Sequence, residues 1–223
     1  MRFNNIKKGF TLAETLITLG IIGIISVLTL PTLISNYKTK VQIAQLQKAY
    51  NQLSNAALTA IAEENVNSLD ETDYLSSISN AIDFFKTYLK VSKVCGTNVT
   101  DCVASSYKSL DGTGTFSLSD STTQCVMLNT GAALCVPSVD YGDNINDHGN
   151  ISVIVDVNGQ GSPNTNGRDL FQFYLYSDGI IGTSYMAQDY TSSGEACEAY
   201  KSTGGYGGSC FAKVIADGWK MDY

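Results

Sequence analysis

MRFNNIKKGFTLAETLITLGIIGIISVLTL, residues 1–30, decides how the rest of the chain is read. A short leader carrying Arg2, Lys7 and Lys8 ends at Gly9. From Phe10 to Leu30 the run is apolar and is interrupted by one charge, Glu14. At about 1.5 Å per helical residue this run reaches ~31 Å, enough to cross the hydrocarbon core of a bilayer. A carboxylate in such a span costs about 2.5–3.5 kcal/mol at the membrane centre and less near the interface. Glu14 therefore calls for a partner.

Three kinds of segment share these features. A secretory signal peptide has an apolar core of about 7–15 residues followed by a small-residue A-x-A site. Here the run is longer, and Leu30-Pro31-Thr32-Leu33-Ile34-Ser35-Asn36 holds no such site. A plain membrane anchor accounts for the length but not for Glu14 or the Gly9-Phe10 step. The third kind is a signal cut before its apolar run, and it accounts for all of these features.

Lys7-Lys8-Gly9-Phe10-Thr11-Leu12-Ala13-Glu14 resembles the prepilin cleavage motif of type IV pilins and type II secretion pseudopilins. The resemblance covers residues 1 to about 60. It implies cleavage between Gly9 and Phe10 by a membrane-embedded prepilin peptidase, then N-methylation of Phe10. It implies a helix that later leaves the membrane for the core of a filament. Glu14, fifth after the cut, matches the family glutamate thought to pair with the terminal amine of a neighbouring subunit. Opposite charges in a low-dielectric bundle each lose solvation, so each is tolerable beside the other.

Lysine and arginine before the span hold the N-terminus in the cytoplasm, so the remainder is exported. Cysteine usage agrees. Cys95, Cys102, Cys125, Cys135, Cys197 and Cys210 all lie in the exported part, and the even number suits an oxidising compartment. Pairing of sequence neighbours is expected on proximity, among the 15 connectivities that six cysteines allow. Zinc is disfavoured: no C-x-x-C occurs, and His148, in Asn146-Asp147-His148-Gly149-Asn150, is the only histidine. It is expected in an exposed loop.

The chain carries −7 at neutral pH. Without Arg2, Lys7 and Lys8, eleven basic residues face 21 acidic ones, a balance of −10. An acidic head is a poor electrostatic partner for nucleic acid, and none is expected to bind. Low charge with abundant Gly, Ser, Thr, Asn and Tyr suits an exported, loop-rich β domain.

Pro31 predicts a kink, after which the helix resumes. Ile43, Leu46, Tyr50, Leu53, Ala57 and Ile61 recur at steps of three and four, a narrow amphipathic stripe. This gives one helix from about 10 to 62, whose stripe the head must cover. Polar residues 64–73 break the pattern. Leu75, Ile78, Ile82, Phe85 and Leu89 predict a second helix over 74–91. Strands are expected near 114–118, 124–128, 132–136, 151–157, 170–176 and 179–184. Ser177-Asp178-Gly179 joins the last two as a hairpin. In the last long strand Phe171, Phe173 and Leu175 alternate with polar or aromatic neighbours, giving one packed face. Residues 202–208 read as a glycine-rich loop, and the final stretch with Trp219 as closing the core. The fold class is α+β: a long N-terminal helix, transmembrane then amphipathic, packed on an antiparallel sheet head. The parts are a leader (1–9), a transmembrane or filament-core helix (10–30), its amphipathic continuation (31–62) and a disulfide-stapled head (63–223).

One loop offers metal-ligating chemistry. Asp156-Val157-Asn158-Gly159-Gln160-Gly161 opens like an EF-hand, with oxygen-bearing side chains at alternate positions and glycines for sharp bends. The twelfth position, where an EF-hand needs a bidentate acid, is Gly167, so this is no EF-hand. Some pilins and pseudopilins carry a calcium loop in this part of the head, and the arrangement is similar. Asp156, Asn158, Asn164 and Asp169 are the candidate ligands for calcium. The competing reading is an Asx-rich turn whose side chains cap their own backbone.

No enzymatic constellation emerges. A Ser-His-Asp triad has only His148 to draw on, no glycine-rich phosphate loop follows a strand, and Arg168 is the only arginine after the leader. The expectation is a filament subunit of the bacterial inner membrane, then of a periplasmic or extracellular filament. Its partners are prepilin peptidase, other pilin or pseudopilin subunits and an inner-membrane assembly platform with its ATPase. The alternative is a membrane-anchored monomeric adhesin or binding protein, for which a carboxylate in lipid has no use.

Overall fold

A computed structural model describes residues 9, 11–119, 121–140, 149–183, 197 and 208–223. The leader up to residue 8, Phe10, His148 and residues 202–207 of the expected glycine-rich loop lie outside the described residues, as does the end of the strand expected over 179–184. Two compact units are distinguished, Met1–Lys40 and Val41–Tyr223.

Helix α1 runs from Leu12 to Glu64 and continues through Pro31. In the first unit all its residues are exposed except Ser26 and Thr39, which are half-buried. In the second unit it becomes a core element, with Leu46, Ala49, Leu53, Ala56, Ala57 and Ala60 buried. The predicted stripe is present, with Ile43, Tyr50 and Ile61 at its half-buried margins. It is broader than predicted because alanines fill one side. Small side chains let neighbouring backbone come close: a Cβ placed at Gly179 would meet the Ala57 Cβ at 3.5 Å.

Helix α2 spans Ile78–Tyr88, shorter than the 74–91 expected. Ser77 sets its start, its hydroxyl accepting the Asn80 N–H at 3.1 Å. Residues 69–71 and 73–75 form 3₁₀ turns instead. The strands are β1 (Val91–Gly96), β2 (Tyr107–Lys108), β3 (Thr115–Phe116), β4 (Gln124–Leu128), β5 (Ala133–Val136), β6 (Val139–Asp140), β7 (Asn150–Asp156), β8 (Leu170–Tyr176) and β9 (Ile181–Gly182). Among the described residues β1-β4-β5-β7-β8-β9 form an antiparallel sheet, with β6 also on β7. β5 and β6 share one edge of β7, opposite residues 154–156 and 150–151. β2 and β3 pair separately. Helix α3, Gly208–Ala216, ends the fold.

The sheet has two packed faces where the sequence suggested one. Val126, Leu134, Val153, Phe171, Phe173 and Leu175 join α1 and α2 in the main core. On the reverse face Cys125, Cys135, Ile154 and Leu170 form a smaller core with Cys95, Cys102, Val103, Tyr107 and Leu118. Segment 95–118 thus covers the back of the sheet, and β7 is buried along its whole length. The β8–β9 turn is the expected hairpin, with Gly179 at φ +82°. α3 closes the main core: Phe211 lies 5.0 Å from Phe173, and Trp219 meets Tyr50 edge-on at 5.4 Å.

Candidate functional site

The N-terminal site is built on the first turn of α1. The Thr11 N–H and hydroxyl donate to Glu14 Oε2 at 2.9 and 2.8 Å. The Glu14 N–H in turn donates to the Thr11 hydroxyl at 3.3 Å. This is a reciprocal capping box, satisfying donors that a helix start leaves without partners. Its sequence signal is the T-x-x-E spacing, which sequence reasoning passed over in favour of the charge. Glu14 thus has partners within its own chain at the start of the helix. Gly9 is exposed; Phe10, the other half of the expected cut, lies outside the described residues.

From Leu12 to Ile34 the large apolar side chains are 50–78% exposed, and none of the membrane-length stretch is buried. At ~25 cal/mol per Å² such a surface is strongly disfavoured in water. Lipid tails or other apolar protein surfaces are the surroundings that suit it.

The six cysteines form three bonds between sequence neighbours: Cys95–Cys102, Cys125–Cys135 and Cys197–Cys210. The second joins directly opposed residues of β4 and β5. The first fastens β1 to the turn after it, in the smaller core. The third ties Cys197 to α3.

The structure brings the four candidate metal ligands into the β7–β8 connection, where Asp156 ends β7 and Asp169 precedes β8. Both carboxylates are fully buried. Asp156 Oδ1 accepts the Asn158 N–H at 3.0 Å, and Oδ2 accepts the Tyr107 hydroxyl in a short bond. Tyr107 Oη in turn accepts the Ala104 N–H at 3.2 Å. Asp169 accepts the N–H groups of Asn164 and Thr165, both at 2.7 Å. Burial pushes Asp156 up to about 8, and raises Asp169 as well. Burial also raises Tyr107, with the Asp156 charge adding to it. Neither carboxylate has an ion pair among the described residues.

The carboxylates therefore cap their own loop, as the Asx-turn reading expected. The capping leaves two groups over. Asn158 Oδ1 and Asn164 Oδ1 are buried atoms with no hydrogen-bond donor. Two carboxylates short of positive charge and two amide oxygens short of donors form an oxygen set of the type calcium takes. Among the described residues no cluster of three or more His, Cys, Asp or Glu exists that could hold a metal ion, so the two carboxylates here have only neutral oxygens beside them. Tyr107 was missed by sequence reasoning, since it stands 49 residues from Asp156 and only the fold joins them.

A long helix with an apolar exposed N-terminal part, packed further on against an antiparallel sheet, defines a pilin-like α+β architecture. Residues 4–30 match the prokaryotic N-terminal methylation motif, the signature of type IV pilins and pseudopilins. The match covers most of the leader and the apolar run and none of the head. No curated protein and no solved structure matches the chain. The chain thus carries the N-terminal motif of type IV pilins and pseudopilins, and that motif supports a pilin-like protein processed at its N-terminus.

Proposed function

We propose that this chain is a structural subunit of a type IV pilus-like or type II secretion pseudopilus filament. The methylation motif at residues 4–30 carries the reading. Prepilin peptidase cuts between Gly9 and Phe10 on the cytoplasmic side of the inner membrane, and Phe10 is methylated. The platform and its ATPase then move the subunit from the bilayer into the filament. There the exposed apolar half of α1 is covered by other subunits. Glu14 pairs with the Phe10 amine of a neighbour, exchanging the donors of its own first turn for a charge. A monomeric anchored adhesin would leave Glu14 without that second use.

Mass spectrometry of the exported protein tests this reading. The expected result is an N-terminus at Phe10 carrying one methyl group, in protein that pellets as filaments after shearing. An intact Met1, or an N-terminus beyond Pro31, overturns it.

The 156–169 loop takes calcium as an accessory to this role. Asp156, Asn158, Asn164 and Asp169 hold the ion, which supplies the positive charge that the buried carboxylates lack. With two carboxylates the affinity belongs with extracellular modules, at ~10⁻⁴–10⁻³ M. What supports this is the pair of buried amide oxygens without donors. Millimolar calcium should raise the melting temperature over that in chelator. Superimposed melting curves would return the loop to an Asx-rich turn.

A further inference from the structure

Charge in this chain is segregated in a way the helix geometry makes useful. No lysine, arginine or histidine occurs between Lys48 and Lys86; of the six acids in that stretch Asp83 pairs with Lys86, and the other five are Glu63, Glu64, Asp70, Glu71 and Asp73. All five acids are exposed, clustered where α1 ends and the 3₁₀ turns begin. None has an ion pair among the described residues. Glu64 and Glu71 accept only neutral donors, Tyr74 and Tyr88 hydroxyls in one case and Asn67 in the other.

A groove that adjoins this segment through Tyr88, the donor to Glu64, has the opposite character further along α1. It runs along α1 and is lined by Lys48, Gln52, Asn55, Lys90 and Asn129, with the α2 end and the β4–β5 turn as its far wall. Lys48 and Lys90 are exposed and unpaired among the described residues. Gln52 Oε1 is buried there without a donor. Along α1, Glu63 lies about 22 Å beyond Lys48, out of reach of a lysine side chain.

We propose that the acidic segment 63–73 of one copy docks on the Lys48–Lys90 groove of a second copy. With segment 63–73 of each copy on the groove of the next, rather than two copies exchanging both patches about a two-fold axis, the contact is heterologous. A heterologous contact that does not close on itself propagates as an open helical assembly. The inference rests on the filament reading and adds a contact between heads that is specific to this chain. Single exposed ion pairs contribute little, but the same pairing recurs at every step of a filament. Complementary patches also fix register by penalising like-charge alignments.

The test uses the full chain in the cells that assemble it, with sheared filaments pelleted and treated with a carbodiimide. Lys48→Glu with Lys90→Glu should reduce the pelleted protein about fivefold or more, because attraction becomes repulsion. Asp70→Lys with Glu71→Lys should do the same. All four changes in one chain should bring assembly back to within about twofold of the starting protein, since the pairing is inverted rather than lost. A carbodiimide link from Lys48 to Asp70 or Glu71 should appear in pelleted protein only. Unchanged melting and intact disulfides in each variant show that the head still folds. Normal pelleting of either charge-reversed variant overturns the contact and leaves the filament reading standing. So does failure of the fourfold variant to recover, or linkage of Lys48 to another protein. If the unaltered protein never pellets, the filament reading falls and this contact falls with it.

Discussion

Asp156 is a carboxylate placed inside the head, and its neighbours set the cost of keeping it there. In the metal-free protein burial raises it to about 8, against an ordinary value of 3.8. Between those values the native state keeps a proton that the unfolded chain has released. Stability is then full below about pH 4 and falls as pH rises toward 8, by up to ~1.4 kcal/mol per pH unit. Denaturant unfolding in chelator across that window should show the decline. Millimolar calcium should flatten it, because the ion replaces the proton. A flat profile in chelator would mean that the native carboxylate ionises near its ordinary value, its hydrogen bonds offsetting the burial. Tyr107→Phe removes the hydroxyl donor to Asp156 Oδ2 while keeping the ring in the smaller core. The expected loss is about 1–3 kcal/mol, the cost of a buried acceptor left short of a donor. Asp156, Asn158, Asn164 and Asp169 were legible because they crowd one short loop. Tyr107 was not, because the sheet alone carries it to Asp156.

Elements that bury a regular stripe announced themselves, and elements held by a few contacts did not. The α1 stripe and β4, β5, β7 and β8 are long or apolar enough to read directly. β1 was missed because only Cys95 among its six residues is buried, so Val91-Ser92-Lys93-Val94-Cys95-Gly96 lacks alternation. β2 and β6 have two residues each, too few for a period. α3 begins at Gly208 inside a glycine-rich run, which hides a helix whose buried side chains include Cys210, Phe211, Ala212 and Val214. α3 also pins the metal-candidate loop. Gly167 has φ +75°, and a Cβ added there would stand 2.8 Å from Cys210 Sγ. Tyr223 donates its hydroxyl to the Gly167 carbonyl at 2.7 Å, and the Arg168 guanidinium lies 5.3 Å over the Tyr223 ring. Gly167→Ala combines overpacking with a disfavoured backbone, at about 1–3 kcal/mol for the overpacking alone. Replacing Cys197 and Cys210 by alanine should cost about 3 kcal/mol in the chain-entropy treatment. Denaturant midpoints of the purified full chain check both. If neither change lowers the midpoint, α3 is not a clamp on this loop.

At the scale of the whole molecule, the first turn of α1 poses a choice between two jobs for one carboxylate. Glu14 caps its own helix through Thr11, and in the filament reading it also answers the amine of a neighbour. Removing it altogether does not separate these, since alanine abolishes both. Glutamine does. Its amide oxygen serves a capping box as a carboxylate does, but it brings no charge to an ammonium. Glu14→Gln should therefore keep the helix start, and both Glu14→Gln and Glu14→Ala should enter the membrane at least as well as the original, a costly charge being gone. Cleavage and methylation at Phe10 should continue in both. Filament incorporation should fall sharply in both, because a buried ammonium without its counter-charge is strongly destabilising. Thr11→Val gives the complementary result. It removes the hydroxyl that caps Glu14 but leaves the charge, so incorporation should survive with a loss of about 1 kcal/mol at the helix start. The ratio of pelleted to membrane-bound protein in the three variants decides between the jobs. Normal pelleting of Glu14→Gln would make Glu14 a cap alone, and the neighbour's amine would then need another acid, which the apolar run does not contain.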